Sequence, residues 1–184
     1  KSKIMKEKIF CFLFSVFCFL FSNGQGIVFN RAYDIDSSFD FGNVIIQTLD
    51  GGYLLIGNTS PSAVVLYKLK YNGDTVWTKL YDLSPPPSIG GESISSAIQL
   101  KDSSYIVCGA TKDVFDIKAD AFLFKITKDG DSVWLKRYGG AYNDYGDDVK
   151  QTEDGGFIMV ASTYSFGADS NDMNTYLIKT DSNG

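Results

Sequence analysis

The chain has 184 residues, 17 basic and 22 acidic side chains, 44% apolar residues and no histidine. That length suits one domain with a sizeable core, and the acidic balance argues against nucleic acid or an anionic membrane surface as partner. Without histidine, Ser-His-Asp and Cys-His catalysis and imidazole metal sites are excluded within this sequence.

From the N-terminus, Lys1–Ile4 precede Met5, the expected initiator, and Met5-Lys6-Glu7-Lys8 is a short basic lead. Ile9–Phe21 is a run of thirteen residues, apolar except for Ser15. Ser22-Asn23-Gly24 then places small residues before Gln25. This is the layout of a secretory signal peptide over residues 1–24, with the mature chain beginning near Gln25. A membrane anchor would need about 20 apolar residues. A lipoprotein site at Cys18 would need a small residue where Ser15-Val16-Phe17 supplies none. Loss of residues 1–24 removes four bases and one acid, leaving 13 basic and 21 acidic residues, a net of −8. Cys11 and Cys18 leave with the leader. Cys108 in Tyr105-Ile106-Val107-Cys108 is expected in the core, so the chain must fold without internal disulfides.

Three phrases then recur in fixed order. Asp50-Gly51-Gly52-Tyr53-Leu54-Leu55-Ile56-Gly57 returns at Asp102–Gly109 and at Asp154–Ala161, 52 residues apart each time. LYKLKYNG (Leu66–Gly73) returns as LFKITKDG (Leu123–Gly130) and LIKTDSNG (Leu177–Gly184). Val-aromatic-x-(Lys/Arg)-x-Tyr stands at Val28, Val76 and Val133. Each unit reads as four strands rich in β-branched and aromatic residues, with Asp-Gly-Gly, Asn-Gly-Asp or Asp-Gly-Asp turns that tolerate positive φ. The mature acids all read as turn or loop residues. A four-stranded antiparallel unit repeating every 52–57 residues fits the blade of a β-propeller. The expected all-β organisation of residues 25–184 is a stray fourth strand at 28–33, blades at 44–81 and 93–138, and a partial blade at 148–181, cut in mid-blade. The stray strand is expected to complete the last blade by pairing with Thr175–Asp181.

The composite (Ile/Val)-Gln-x-x-Asp-Gly-Gly-(Tyr/Phe) followed by Gly-Asp-(Thr/Ser)-Val-Trp-x-Lys-x-Tyr resembles repeats of exported β-propeller proteins of Bacteroidota, which often end in a type IX secretion sorting domain. The resemblance covers nearly all of residues 26–184 and implies export rather than an activity; no sorting domain is present in this sequence. Gly73-x-x-x-Trp77 and Gly130-x-x-x-Trp134 also look like quinoprotein docking motifs, without the usual Asp and Thr before the glycine. Thr127-x-Asp129-Gly130-Asp131-x-Val133-Trp134 looks like a sialidase Asp-box with its glycine one residue early. Both resemblances imply a tryptophan that packs between neighbouring blades.

Candidate chemistry lies in the unequal links. The long links, between second and third strands and between blades, are expected on one face. There Asp116, Asp147 and Asp172 would stand beside Phe115, Tyr145 and Tyr164. Aspartates in such links commonly just solvate the loops and set turns; carboxylates next to rings also suit a glycan through hydrogen bonds and stacking, or a protein ligand. Asp169 and Asp172 form the best candidate for a Ca²⁺ site, since Ca²⁺ takes oxygen ligands. The leading expectation is a secreted or surface protein that binds glycan or protein, non-catalytic and without a cofactor. The alternative is a carboxylate-dependent glycan hydrolase or lyase on the same scaffold. No nucleic-acid partner is expected, nor a stable membrane span after leader cleavage.

Overall fold

The computed structural model describes residues 29–35, 40–59, 63–84, 91–112, 118–167 and 172–184. Among them there are eleven strands and no helix. In chain order they are β1 (Asp40–Gln47), β2 (Tyr53–Thr59), β3 (Ala63–Leu69), β4 (Thr75–Tyr81), β5 (Glu92–Gln99), β6 (Tyr105–Lys112), β7 (Ala119–Ile126), β8 (Ser132–Tyr138), β9 (Asp144–Gln151), β10 (Phe157–Thr163) and β11 (Asn174–Thr180). They pair antiparallel with their sequence neighbours into three sheets, β1–β4, β5–β8 and β9–β11. Residues 1–31 and 32–184 are separate units, and Phe29–Arg31, the described part of the first, carry no regular secondary structure.

The turns recur as closely as the sequence. Thr48–Gly52, Leu100–Ser104 and Thr152–Gly156 each close with a backbone N–H to C=O pair, such as Thr48 N to Gly52 O at 2.9 Å and Gly51 N to Thr48 O at 2.8 Å. The aspartate of each turn accepts from the backbone two residues on: Gly52, Ser104 and Gly156 donate to Asp50, Asp102 and Asp154 at 3.0 Å. The penultimate residue is left-handed, at φ 78° for Gly51, 82° for Gly155 and 68° for Ser103. Glycine enters that region without penalty and serine does not.

Lys68 reaches from β3 to Asp50 at 2.8 Å, and Lys179 reaches from β11 to Asp154 at 2.7 Å. A glycine stands beside each, where a Cβ on Gly52 or Gly156 would meet the Leu69 or Thr180 backbone carbonyl at 2.1 Å and the lysine Nζ at 2.9 Å. In the second sheet Ser104 fills that place. Its hydroxyl bonds Asp102 at 2.5 Å, and Lys125 acts on that carboxylate through its charge.

The core lies between sheets. Leu54, Ile56, Val64 and Leu66 of the first sheet join Tyr105, Val107, Phe122 and Phe124 of the second in one cluster. The alternate residues Ile106, Cys108, Ala121 and Leu123 join Val149, Phe157, Met159 and Ala161 of the third sheet in another. β6 and β7 are therefore buried on both faces, as their near-continuous apolar sequences require. Each fully buried leucine contributes about 1.5–3 kcal/mol. Cys108 is fully buried, and burial pushes its thiol up to about 12.

One tyrosine contact recurs at the turn between third and fourth strands. Tyr81 at the end of β4 donates its hydroxyl to the Gly130 carbonyl in the β7–β8 turn, and its ring lies edge-on to Phe124 at 5.0 Å. Tyr33 donates to the Gly73 carbonyl at 2.8 Å, its ring 5.6 Å from Tyr67. Tyr138 packs in the cluster against the third sheet, but its hydroxyl is buried without a partner among the described residues. Trp77 packs in the first cluster and Trp134 lies edge-on to Phe157 at 6.1 Å, so both tryptophans sit between sheets.

Three expectations are corrected here. The acids are not confined to turns and loops: Asp144, Asp147 and Asp148 lie within β9, Asp120 within β7, and Asp40 and Glu92 open β1 and β5. The first strands begin at Asp40, Glu92 and Asp144, upstream of Val44, Ser93 and Asp148. Phe29–Tyr33 form no strand, and among the described residues β11 pairs with β10 alone. Tyr33 instead packs through its side chain on Val65, Tyr67 and Leu69. Val28 lies outside the described residues.

Candidate functional site

Antiparallel pairing puts the tight turns at one end of every sheet and the longer links at the other. Thr163 pairs with Asp144 and with Asn174, so the entry to β9, the exit from β10 and the entry to β11 share an end. Thr59 pairs with Asp40 and Ala63, and Thr111 with Glu92 and Asp120, in the same way.

At this end each sheet begins with an acid: Asp40, Glu92 and Asp144, again 52 residues apart. Asp40 accepts the Tyr67 hydroxyl at 3.1 Å. Glu92 is buried, and the Ser84 hydroxyl lies between its Oε1 at 2.7 Å and the Lys112 carbonyl at 3.0 Å. Asp144 has no exposure at all and accepts from the Thr163 hydroxyl, the Ser165 hydroxyl at 2.6 Å and Gly140 N at 2.9 Å. A buried carboxylate persists only when so satisfied. Around it, Lys118 donates to the Gly140 carbonyl at 2.7 Å, Ala119 N to Asn143 Oδ1 at 2.7 Å, and Tyr142 N to Ser165 Oγ at 3.0 Å.

Asp120 approaches the same place. A Cβ on Gly139 would stand 2.7 Å from Asp144 Oδ2 and closer still to Asp120 Oδ1. The two carboxylates thus come close enough for acid-pair chemistry. Asp144, however, is sealed from solvent and fully engaged in holding the links at 139–143 and 164–166.

What this end shows to solvent is different. Tyr142 is 50% exposed and Phe166 42%, the latter with its ring 4.7 Å from that of Tyr176. Asp147 is exposed and accepts the Ser162 hydroxyl at 2.8 Å. It is the residue skipped where β9 pairs with β10, between Gly146 and Asp148. Asn43 and Ser95 are skipped at the same place in β1 and β5. Such a bulge re-aims a side chain. Asp148 bonds Lys150 at 2.7 Å and Ser96 at 2.6 Å, and Lys150 chiefly lowers its titration.

Of the residues singled out in the sequence, Tyr145 and Asp147 on β9, Tyr164 just after β10 and Asp172 just before β11 fall at this end of the third sheet. Tyr145 and Tyr164 are half-buried, and Asp172 is exposed. Tyr145 lies opposite Ser162, and Tyr164 N donates to the Asn143 carbonyl at 2.9 Å. Phe115, Asp116 and Asp169 lie outside the described residues. Among the described residues no cluster of three metal-ligating side chains occurs.

A second concavity, of about 250 Å³, lies at the opposite end between the turns of the first and second sheets. Trp77, Tyr105, Gln99, Lys68 and Asp50 are among its lining. Several of its polar groups are already engaged: Trp77 Nε1 donates to the Lys128 carbonyl at 3.3 Å, and Gln99 accepts from Leu49 N at 2.7 Å and donates to the Ser103 carbonyl at 3.2 Å. The Lys68 ammonium holds Asp50 down at about 2, and burial pushes Tyr105 up to about 12. Sequence reading missed this cleft, although the recurring Gln, Asp and Trp of the repeat are its walls.

Among the described residues no helix is long and apolar enough to cross a membrane. No protein-family model matches the chain, and no curated protein matches it.

Proposed function

We propose that the protein is an exported binding protein of the Bacteroidota repeat type, secreted or held at the cell surface. In this reading its three sheets are consecutive blades of a β-propeller. The propeller reading is supported by the order of packing, with β1 against β5 and β5 against β9, and by a bulge and a turn that recur every 52 residues. The ligand in this reading is a glycan or a protein, taken at the end of the longer links.

The observation that carries the binding reading is that this end of the third sheet exposes both rings, Tyr142 and Phe166, and carboxylates, Asp147 and Asp172. Rings supply stacking area, and acceptors supply direction. A glycan array probed with the exported protein, with and without a chelator, tests it. Binding that is lost in the Tyr145→Ala/Tyr164→Ala double variant supports the assignment. Binding that survives removes both residues from the site. Loss on chelation supports Ca²⁺ at Asp169 and Asp172, and no binding to any glycan leaves a protein ligand as the account. N-terminal sequencing tests export: a start at Gln25 supports it, and an intact Met5 on membrane-held protein refutes it.

A further inference from the structure

The two junctions between sheets are built alike at the tight-turn end. A Cβ on Gly130 would meet the Trp77 ring at 3.1 Å, and one on Gly184 would meet the Trp134 ring at 2.9 Å. In the first junction, which holds the cleft of about 250 Å³, Asp50, Lys68 and Gln99 form the frame, and they return at the second as Asp102, Lys125 and Gln151. Four residues of the cleft do not return. Ser103, Tyr105, Lys128 and Asp129 stand where the second junction has Gly155, Phe157, Ser182 and Asn183. The first junction thus carries two hydroxyls and an ion pair that the fold does without at the second.

Both hydroxyls are kept against a physical cost. Tyr105 is 1% exposed, with its ring in the first core cluster, yet it lines the cleft, and no hydrogen bond to its hydroxyl occurs among the described residues. Phenylalanine fills the same core position in the third sheet without that unmet group, so packing alone does not require the hydroxyl. Burial, and then the charges of Asp50 and Asp129, push it up to about 12, which puts it in the field of both carboxylates of the cleft. Ser103 is the single non-glycine residue with a left-handed backbone among the described residues, at φ 68°. Strain of this kind gathers at functional sites.

We infer that this cleft binds one neutral pyranose ring, with the Tyr105 and Ser103 hydroxyls as its specific contacts. The charges are balanced within the cleft, Lys68 against Asp50 at 2.8 Å and Lys128 against Asp129 at 2.9 Å, so it does not call for an ion. The two hydroxyls can each donate and accept, and the carboxylates accept. Trp77 and Val76 add an apolar wall. A ring with hydroxyls around its edge and C–H groups on its face matches that mixture. The volume suits a single ring rather than an extended chain. The cleft lies at the opposite end of the sheets from the longer links, so the inference stands independently of the ligand proposed there.

Saturation-transfer NMR titrations of the full chain with the methyl glycosides of glucose, galactose and mannose, and with glucuronate as the charged counterpart, are the test. At least one neutral glycoside should bind saturably, with a constant of about 1–10 mM as befits a ligand of one ring. Ser103→Gly and Tyr105→Phe give the cleft the residues of the second junction, and each should weaken that binding by about 3- to 10-fold, the worth of one hydrogen bond. Neither change removes a hydrogen bond made by its side chain within the chain, so a urea midpoint that is kept or raised separates lost binding from lost folding. Absence of saturable binding by all three glycosides overturns the inference. So does binding that neither substitution weakens, or glucuronate binding more tightly than every neutral glycoside.

Discussion

Tyr81→Phe and Tyr138→Phe remove the same atom from the same repeat position, yet should act in opposite directions. The Tyr81 hydroxyl bonds the carbonyl of buried Gly130, and its ring contact with Phe124 is retained by phenylalanine. The loss is therefore one hydrogen bond plus an abandoned buried acceptor, about 1–2 kcal/mol. For a chain of this size that corresponds to a fall in Tm of roughly 2–4 °C per kcal/mol. The Tyr138 hydroxyl is buried with no partner among the described residues, so its removal relieves a desolvation cost and should be neutral or stabilising by up to about 1 kcal/mol. Urea titrations followed by tryptophan fluorescence, compared at equal m, measure both, with Trp77 and Trp134 as reporters beside the two contacts. Equal losses in the two variants, or a neutral Tyr81→Phe, would refute the reasoning that the hydroxyl bond rather than ring packing fastens neighbouring sheets.

Leu123→Ala should cost about 2–5 kcal/mol as a fully buried truncation, and Leu177→Ala at the same repeat position less than about 0.5 kcal/mol, both read from chemical denaturation. Ser103→Gly should stabilise by about 0.5–1 kcal/mol, since the left-handed backbone at φ 68° costs serine more than the added chain entropy costs glycine; a lower midpoint would count against it. Asp50 has its folded titration lowered from 3.8 to about 2, chiefly by the Lys68 hydrogen bond. The resulting stability is complete above pH about 4 and is lost as pH falls toward 2, a small term because the carboxylate is largely exposed. Lys68→Met should flatten that acid limb in midpoint-versus-pH curves. Burial raises Tyr81 and Tyr105 from 10.0 to about 12, so stability they confer is complete below pH 10 and declines as pH climbs toward 12; the alkaline decline should be shallower in Tyr81→Phe.

The three sheets were legible in the sequence because their signals are local. Asp-Gly-Gly and Asn-Gly-Asp turns announce themselves, and strands such as Tyr105–Thr111 are too apolar to lie anywhere but between two layers. What escaped notice depends on residues far apart in the chain. Asp144 reads as a loop residue because it is charged; its burial follows from hydroxyls on Thr163 and Ser165, about twenty positions on. The segment ending at Tyr33 reads as a strand because it copies the phrase of β4 and β8. It is fixed instead by a hydroxyl to Gly73, and a side-chain anchor leaves no period in the sequence. At the candidate site, the aromatic and acidic content of the links was visible. Which acids face water was not: Asp147 is turned outward by a bulge, and Asp144, three residues earlier, is enclosed.

The two-sided burial of β6 and β7 also governs how the protein opens. Amides there can exchange with solvent only when both clusters separate, so they should be the slowest in the chain and report its global stability. β9–β11 are held by one cluster and meet water on the other side, so they should exchange through a smaller, local opening. The links that carry Tyr142, Phe166 and Asp172 hang from that softer sheet. A ligand gripping them would slow exchange in β10 and β11 well before it altered β6.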